Sequence, residues 1–190
     1  TASLERALER AGITWPAIVR EAGTHAGRVS GLAHNPAQVA AMIRNRSDYF
    51  VTSFVNFRSA DLLFRKHRVF FIGKRHIFRH LLHGMHWNIH AKNREGFRPG
   101  DPQMVAEEKH ILEHGLPAKV TDVLEAVRET VGLDYFGIDF GIMPDGDVVL
   151  FETNATMNFF PFSEMPCFDY VRACLKPAQD AVNELLYPEG

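Results

Sequence analysis

Cysteine is nearly absent, with Cys167 and Cys174 the only two in 190 residues. That count excludes a disulfide scaffold and a four-cysteine zinc site. At i, i+7 on a helix the pair would lie two turns apart, beyond the reach of a bridge. A reducing, cytoplasmic compartment is the expectation from this usage. Also lacking is any apolar run near the ~20 residues of a membrane-spanning helix, and no basic-then-apolar leader opens the chain. There is no repeat and no low-complexity tract. The first residue is Thr1 rather than Met, which reads as a fragment. No Ser/His/Asp triad can be assembled from spacing, and neither cysteine has the basic helix-start context of a reactive thiol.

Apolar residues are plentiful at 46%, enough for a sizeable core. The formal net charge of −2 hides a division. Residues 1–100 hold 16 Lys+Arg against 6 Asp+Glu, and residues 101–190 hold 5 against 17. A basic half beside an acidic half suits a polyanion together with the cations that accompany it.

Periodicity places a helix over 2–12 with Gly12 as its stop, a short strand over Trp15–Arg20, and a helix from Pro36 to about Arg44 capped by Asn35. Strands follow at Tyr49–Phe57 and Arg68–Ile72, with Gly73-Lys74 turning into a third. The breaker-rich residues 95–102 form the best candidate linker. Helices are expected at about 103–114 and 118–131, then two strands around Pro144-Asp145-Gly146, and a last helix near 168–186. Strands and helices mix without strict alternation, so the fold class is α+β.

The strongest signal runs from Tyr135 to Asn154, two apolar runs flanking Asp145-Gly146. Asp-Gly in that setting is a hairpin cue. A two-residue turn makes cross-strand partners sum to 291, which sets Asp139 opposite Glu152, Gly137 opposite Asn154 and Gly141 opposite Leu150. Period two then gathers Asp139, Glu152 and Asn154 on one face, with the two glycines leaving that face open. Directly opposed carboxylates repel, so losing either charge is expected to stabilise the chain without its ligand. A cation between them removes the cost. Two carboxylates and an amide oxygen make an all-oxygen set suited to Mg²⁺. The alternative is one acid at a strand end paired with Arg or Lys.

Gly-Ile-Asp139-Phe, a turn, then Phe-Glu152-Thr-Asn154 resembles the C-terminal metal-binding signature of the ATP-grasp superfamily, which includes glutathione synthetase and D-alanine–D-alanine ligase. The stretch Phe54-Val-Asn-Phe-Arg-Ser-Ala-Asp-Leu-Leu-Phe-Arg-Lys66 resembles the ATP-grasp domain of uncharacterised bacterial proteins, often found beside tetratricopeptide repeats. The resemblance implies two α+β lobes whose antiparallel sheets grip ATP: a lid-like subdomain at 1–57 and a C-terminal subdomain at 58–190. The α/β domain that normally precedes them is expected to be absent from this chain.

By the same resemblance Asp139, Glu152 and Asn154 hold Mg²⁺ on the ATP phosphates. Arg20 ends a strand in the place of a lysine. Gly23, Thr24, His25 and Gly27 form a loop over the phosphates, although an ordinary turn reads equally well from the residues. Ser53, Phe54 and Val55 supply hinge groups for adenine. Arg68 faces the phosphates or the acyl substrate, Lys66 stands where an acid often touches ribose, and Asp61 is a substitute for that contact. Trp87–Lys92 resembles a strand whose Asn88 touches the phosphates. After Asn154 the usual Pro-Gly pair gives way to Ala155-Thr156-Met157-Asn158.

The implied reaction is ATP- and Mg²⁺-dependent joining of a carboxylate to an amine, or a thiol, through an acylphosphate. A chain lacking the preceding domain is compatible with ATP binding without turnover. Phosphoryl transfer and a nonenzymatic ATP-binding or interaction module are the alternatives. His80, His83 and His86 have zinc-like spacing, but their neighbours are basic rather than acidic. The 10 Lys+Arg against 2 acids over 58–98 also suit a nucleic-acid face, though no defined nucleic-acid module is matched.

Overall fold

Two units make up the chain, Thr1–Asn56 and Phe57–Gly190, and the computed structural model describes residues 2–23, 31–44, 47–90 and 98–187.

The first unit contains α1 (Ala2–Arg10), β1 (Ala17–Glu21), β2 (Gly31–Ala33), α2 (Pro36–Met42) and β3 (Tyr49–Ser53). Its antiparallel sheet has the order β2-β1-β3. Ala17 and Val19, two apart on β1, point to one buried side, and Val19 joins Leu8, Ala33 and Val39 in a small core. Asn35 caps α2, its side chain accepting from the Gln38 N–H at 3.0 Å, and Pro36 sits where no intrahelical N–H is needed. Gly12, with φ +66°, follows the end of α1 in the left-handed region.

The second unit contains β4 (Phe64–Ile72), β5 (Arg75–Gly84), α3 (Pro102–His114), α4 (Ala118–Val131), β6 (Tyr135–Ile142), β7 (Val148–Asn154), a 3₁₀ helix (Pro166–Cys174) and α5 (Leu175–Leu186). The antiparallel sheet runs β5-β4-β6-β7. One face carries Val69, Phe71, Phe136, Ile138 and Phe140, packed against Val120 and Leu124 of α4 and against Ile111 of α3. The opposite face carries Phe70, Ile72 and Ile77 under Met157, Phe159 and Ala178. Strand β4 is therefore covered on both sides near its C-terminal end, which is why its last residues form a continuous apolar run rather than an alternation. Each such phenylalanine contributes about 2 kcal/mol through burial.

Two expectations are corrected here. No strand occupies residues 85–90 after Gly84. The chain folds back there, and a Cβ on Gly84 would lie 2.9 Å from Ile89 Cγ1 and 3.0 Å from the His86 carbonyl. The last helical stretch begins as a 3₁₀ segment and becomes α-helical only at Leu175. The chain shows no helix among the described residues that is long and apolar enough to cross a membrane.

Candidate functional site

On the half of the second sheet's face that Phe70 and Ile72 leave uncovered, β4, β6 and β7 bring charge together. Asp139 of β6 pairs across the ladder with Glu152 of β7 on one side and with Arg68 of β4 on the other. Gly137 pairs with Asn154. The route to this register differs from a two-residue turn. Met143 N–H bonds to the Asp147 carbonyl and Gly146 N–H to the Met143 carbonyl, so Pro144-Asp145-Gly146 is a three-residue loop, with Gly146 at φ +84°. Partners next to the loop thus sum to 290, and Gly141 faces Val149 rather than Leu150. A bulge at Phe151 then adds one residue to β7 and restores 291 from Asp139 and Glu152 onward. The two departures cancel at the acidic pair.

Asp139 is almost fully buried. Its carboxylate accepts from Arg68 Nε at 2.6 Å and Arg68 Nη2 at 2.7 Å, a two-pronged contact, and from Lys66 Nζ at 3.0 Å. Burial pushes the Asp139 pKa up, but the Arg68 hydrogen bonds and the Lys66 charge outweigh it, and the group stays below the usual carboxylate range. Asp139 pairs with both Arg68 and Lys66, although it lies inside β6 rather than at a strand end. This pairing reverses the expected stabilisation on removing this charge, because two cations would lose their partner.

Glu152 is half-buried and has no hydrogen-bond or ion-pair partner among the described residues. Asn154 Oδ1 accepts from both the Thr156 N–H and the Thr156 hydroxyl, each at 2.8 Å. The donor set remains two carboxylates and an amide oxygen, which fits a hard divalent cation in kind. Arg68 and Lys66 already occupy three of the acceptor positions of the Asp139 carboxylate. Opposite Arg68 on β5 stands His80. Its shielded Nε2 has no partner among the described residues. Burial first, then the charges of Arg68 and Arg79, keep this imidazole neutral well below its ordinary pKa. An oxygen ligand would remove the cost of that orphaned atom.

The glycines do not leave the face open. A Cβ on Gly137 would fall 2.4 Å from Met157 Sδ, and one on Gly141 would fall 2.6 Å from the Phe57 ring and 3.0 Å from Phe151. They exist to admit those side chains, which pack directly on the sheet backbone.

Asp61 does not join this face. It accepts from Arg65 at 2.9 and 2.6 Å, and Arg65, one residue out of phase with Lys66, also binds Glu107 of α3. His83 completes that group through Glu107 at 2.9 Å. Arg65 holds both Asp61 and Glu107 down to about 2. The zinc spacing of His80, His83 and His86 is not used. His80 and His83 stand on β5 beside different partners, and the described residues contain no metal-competent cluster of three His, Cys, Asp or Glu.

Asn88 lies half-buried beyond β5 and has a polar partner. In the first unit Arg20 pairs with Phe50 across β1 and β3, and Gly23 follows in a turn at φ +72°. Thr24, His25 and Gly27 lie outside the described residues. Ser53 Oγ accepts from the Thr14 N–H at 2.9 Å, and the Phe54 N–H donates to the Pro16 carbonyl at 2.9 Å. Val55 is exposed.

Sequence reading missed two residues that shape this face: Met157, which fills the Gly137 notch, and Phe151, whose bulge sets the register. Glycine at 137, two residues from the acid, is the signal that pointed to a close approach.

No protein-family model and no curated protein matches the sequence. Solved structures do. One is a carboxyaminoimidazole ribonucleotide synthase from Aspergillus clavatus complexed with ATP, at 12% identity and a TM-score of 0.47, covering 83% of this chain and 38% of that one. Another is the D-alanine–D-alanine ligase of Coxiella burnetii, at 10% identity and 0.45, covering 97% and 51%. A third is the biotin carboxylase domain of the Hydrogenobacter thermophilus 2-oxoglutarate carboxylase with MgADP and bicarbonate, at 11% identity and 0.44, covering 90% and 38%. The chain spans roughly half or less of each. These three solved structures are ATP-grasp enzymes.

Proposed function

We propose that this chain is the ATP-binding portion of an ATP-grasp ligase that joins a carboxylate to an amine, or a thiol, through an acylphosphate. One observation carries the reading: Asp139 stands directly opposite Glu152, and Lys66 and Arg68, 73 and 71 residues from Asp139 in sequence, meet it on the same face. Acids of a kind that can hold a metal and cations of a kind that can hold phosphate are thereby within one cluster.

In this reading Asp139, Glu152 and Asn154 hold the metal. When bound, Mg²⁺ neutralises phosphate charge and supports its development in the transition state. Arg68 and Lys66 bind phosphate oxygens, and Arg68 offers a planar fork that orients them. Neutral His80 donates a hydrogen bond without adding charge. Asn88 touches the phosphates. Arg20 and Gly23 of the first unit are assigned to phosphate binding; Thr24, His25 and Gly27 lie outside the described residues. Of the hinge groups, Ser53 Oγ and the Phe54 N–H are already engaged inside the first unit, so Val55 is the adenine contact best supplied with free backbone. Asp61, committed to Arg65, is not assigned the ribose. The substrate carboxylate attacks the γ-phosphorus, and the amine then attacks the acyl carbon and releases phosphate. No side-chain nucleophile is required.

Asp139's capture by two internal cations favours a second reading, a module that binds ATP without catalysing. A product assay separates the readings: an amide with ADP and phosphate, a phosphoester, or no product. Calorimetry tests the site itself. Asp139→Asn and Glu152→Gln should each weaken MgATP binding at least tenfold. Their stabilities should split, with Glu152→Gln near neutral and Asp139→Asn costing about 3 kcal/mol. Unchanged MgATP affinity in both variants would sink the assignment.

A further inference from the structure

Lys66 has a position that the proposed metal site does not need. It stands on β4 two residues before Arg68, on the same side of the strand, and its ammonium is 3.0 Å from the Asp139 carboxylate. Arg68 alone already satisfies Asp139 with two hydrogen bonds. Both cationic side chains are mostly shielded from water, at 15% and 22% exposure, and Asp139 is at 4%. In such surroundings a third donor on one carboxylate is held tightly, and releasing it alone leaves an ammonium without an anion.

Lys66, Arg68, Asp139 and Glu152 carry two positive and two negative charges that cancel. A divalent cation arriving alone meets a guanidinium and an ammonium already on its carboxylate. A polyanion arriving alone meets two cations whose charge Asp139 already neutralises. Arriving together, the metal takes the carboxylates while the polyanion takes Lys66 and Arg68, and every charge keeps a partner.

Resting on the function proposed above, we propose that Lys66 guards the metal site: it holds Asp139 until a phosphate draws it away, so metal and polyphosphate bind more tightly together than either does alone. The coupling is reciprocal, since whatever factor the polyanion adds to metal affinity the metal adds to the polyanion. Lys66 thus acts as a two-position residue, on carboxylate or on phosphate, rather than as a ribose contact.

Equilibrium dialysis against Mn²⁺, with protein-bound metal counted at fixed free Mn²⁺, tests this on the whole chain. Wild-type protein should bind Mn²⁺ weakly alone and at least tenfold more tightly with ADP or with inorganic pyrophosphate. Lys66→Met should bind Mn²⁺ alone about tenfold more tightly than wild type and gain correspondingly less from either anion. Lys66→Gln is the second variant should the first fail to fold. Wild-type and Lys66 variants with the same metal-alone affinity would overturn the guard, as would wild-type affinity that neither anion raises. A gain with pyrophosphate but none with ADP would support the guard and overturn the nucleotide reading.

Discussion

His67 shows how one side chain sets a pH dependence. It is buried on the helix-covered face, stacked on Phe140 at 5.1 Å, and its Nδ1 has no partner among the described residues. Burial pushes its pKa down to about 4. The folded chain therefore keeps this ring neutral where the unfolded chain, near 6.5, takes up a proton. More protons on the unfolded side means that stability falls as pH drops from about 6.5 to about 4, by roughly 3 kcal/mol over that window. His67→Phe keeps the stacking and removes both the proton and the orphaned nitrogen. Urea unfolding should show the variant more stable than wild type at pH 5 and a flatter stability profile between pH 6.5 and 4. Equal slopes in the two proteins would show that other groups carry the acid sensitivity. Asp61 and Glu107 act in a lower window: Arg65 depresses both to about 2, so their contribution is present above about 4 and is lost as pH falls toward 2.

Among the elements, the β6–β7 hairpin has the tightest requirements. Its three-residue loop alone would shift the pairing by one, and that shift would turn Glu152 away from Asp139, because side chains alternate faces. The Phe151 bulge cancels the shift, and Phe151 packs 4.8 Å from Phe57 while Gly141 leaves room beneath it. Two residues before Asp139, Gly137 admits Met157, whose carbonyl accepts from the Tyr135 hydroxyl at 3.1 Å. Gly137→Ala should cost about 1–3 kcal/mol through overpacking against Met157. Adding Met157→Ala to that variant should cost less than Met157→Ala costs in wild type, since the new methyl group occupies part of the space. A thermal-denaturation double-mutant cycle checks this, and strict additivity would show that the two do not compete for one notch.

The scale of the whole molecule is where the charge division acts. The basic first 100 residues extend over both units, with Arg20 in one and Lys66 and Arg68 in the other. Arg20→Ala and Arg68→Ala should each weaken MgATP binding at least tenfold, more than the ~1 kcal/mol or less of an exposed ion pair. Calorimetry decides it. An Arg20→Ala variant with wild-type affinity would remove Arg20 from the phosphate assignment.

Local chemistry made much of this legible from residues alone. Asp-Gly between apolar runs announced the hairpin, Asn35-Pro36 announced a helix start, and period two placed Glu152 and Asn154 on one face, because turns, caps and pleats depend on neighbours in the chain. What surrounds the acids was not legible, because it comes from strands more than 70 positions away. Only tertiary packing brings Lys66 and Arg68 onto Asp139, draws Asp61 to Arg65 on the opposite face, and seats Met157 over Gly137. Sequence spacing sets which residue types share a strand face; burial and the pairing of strands decide which charges must neutralise one another there.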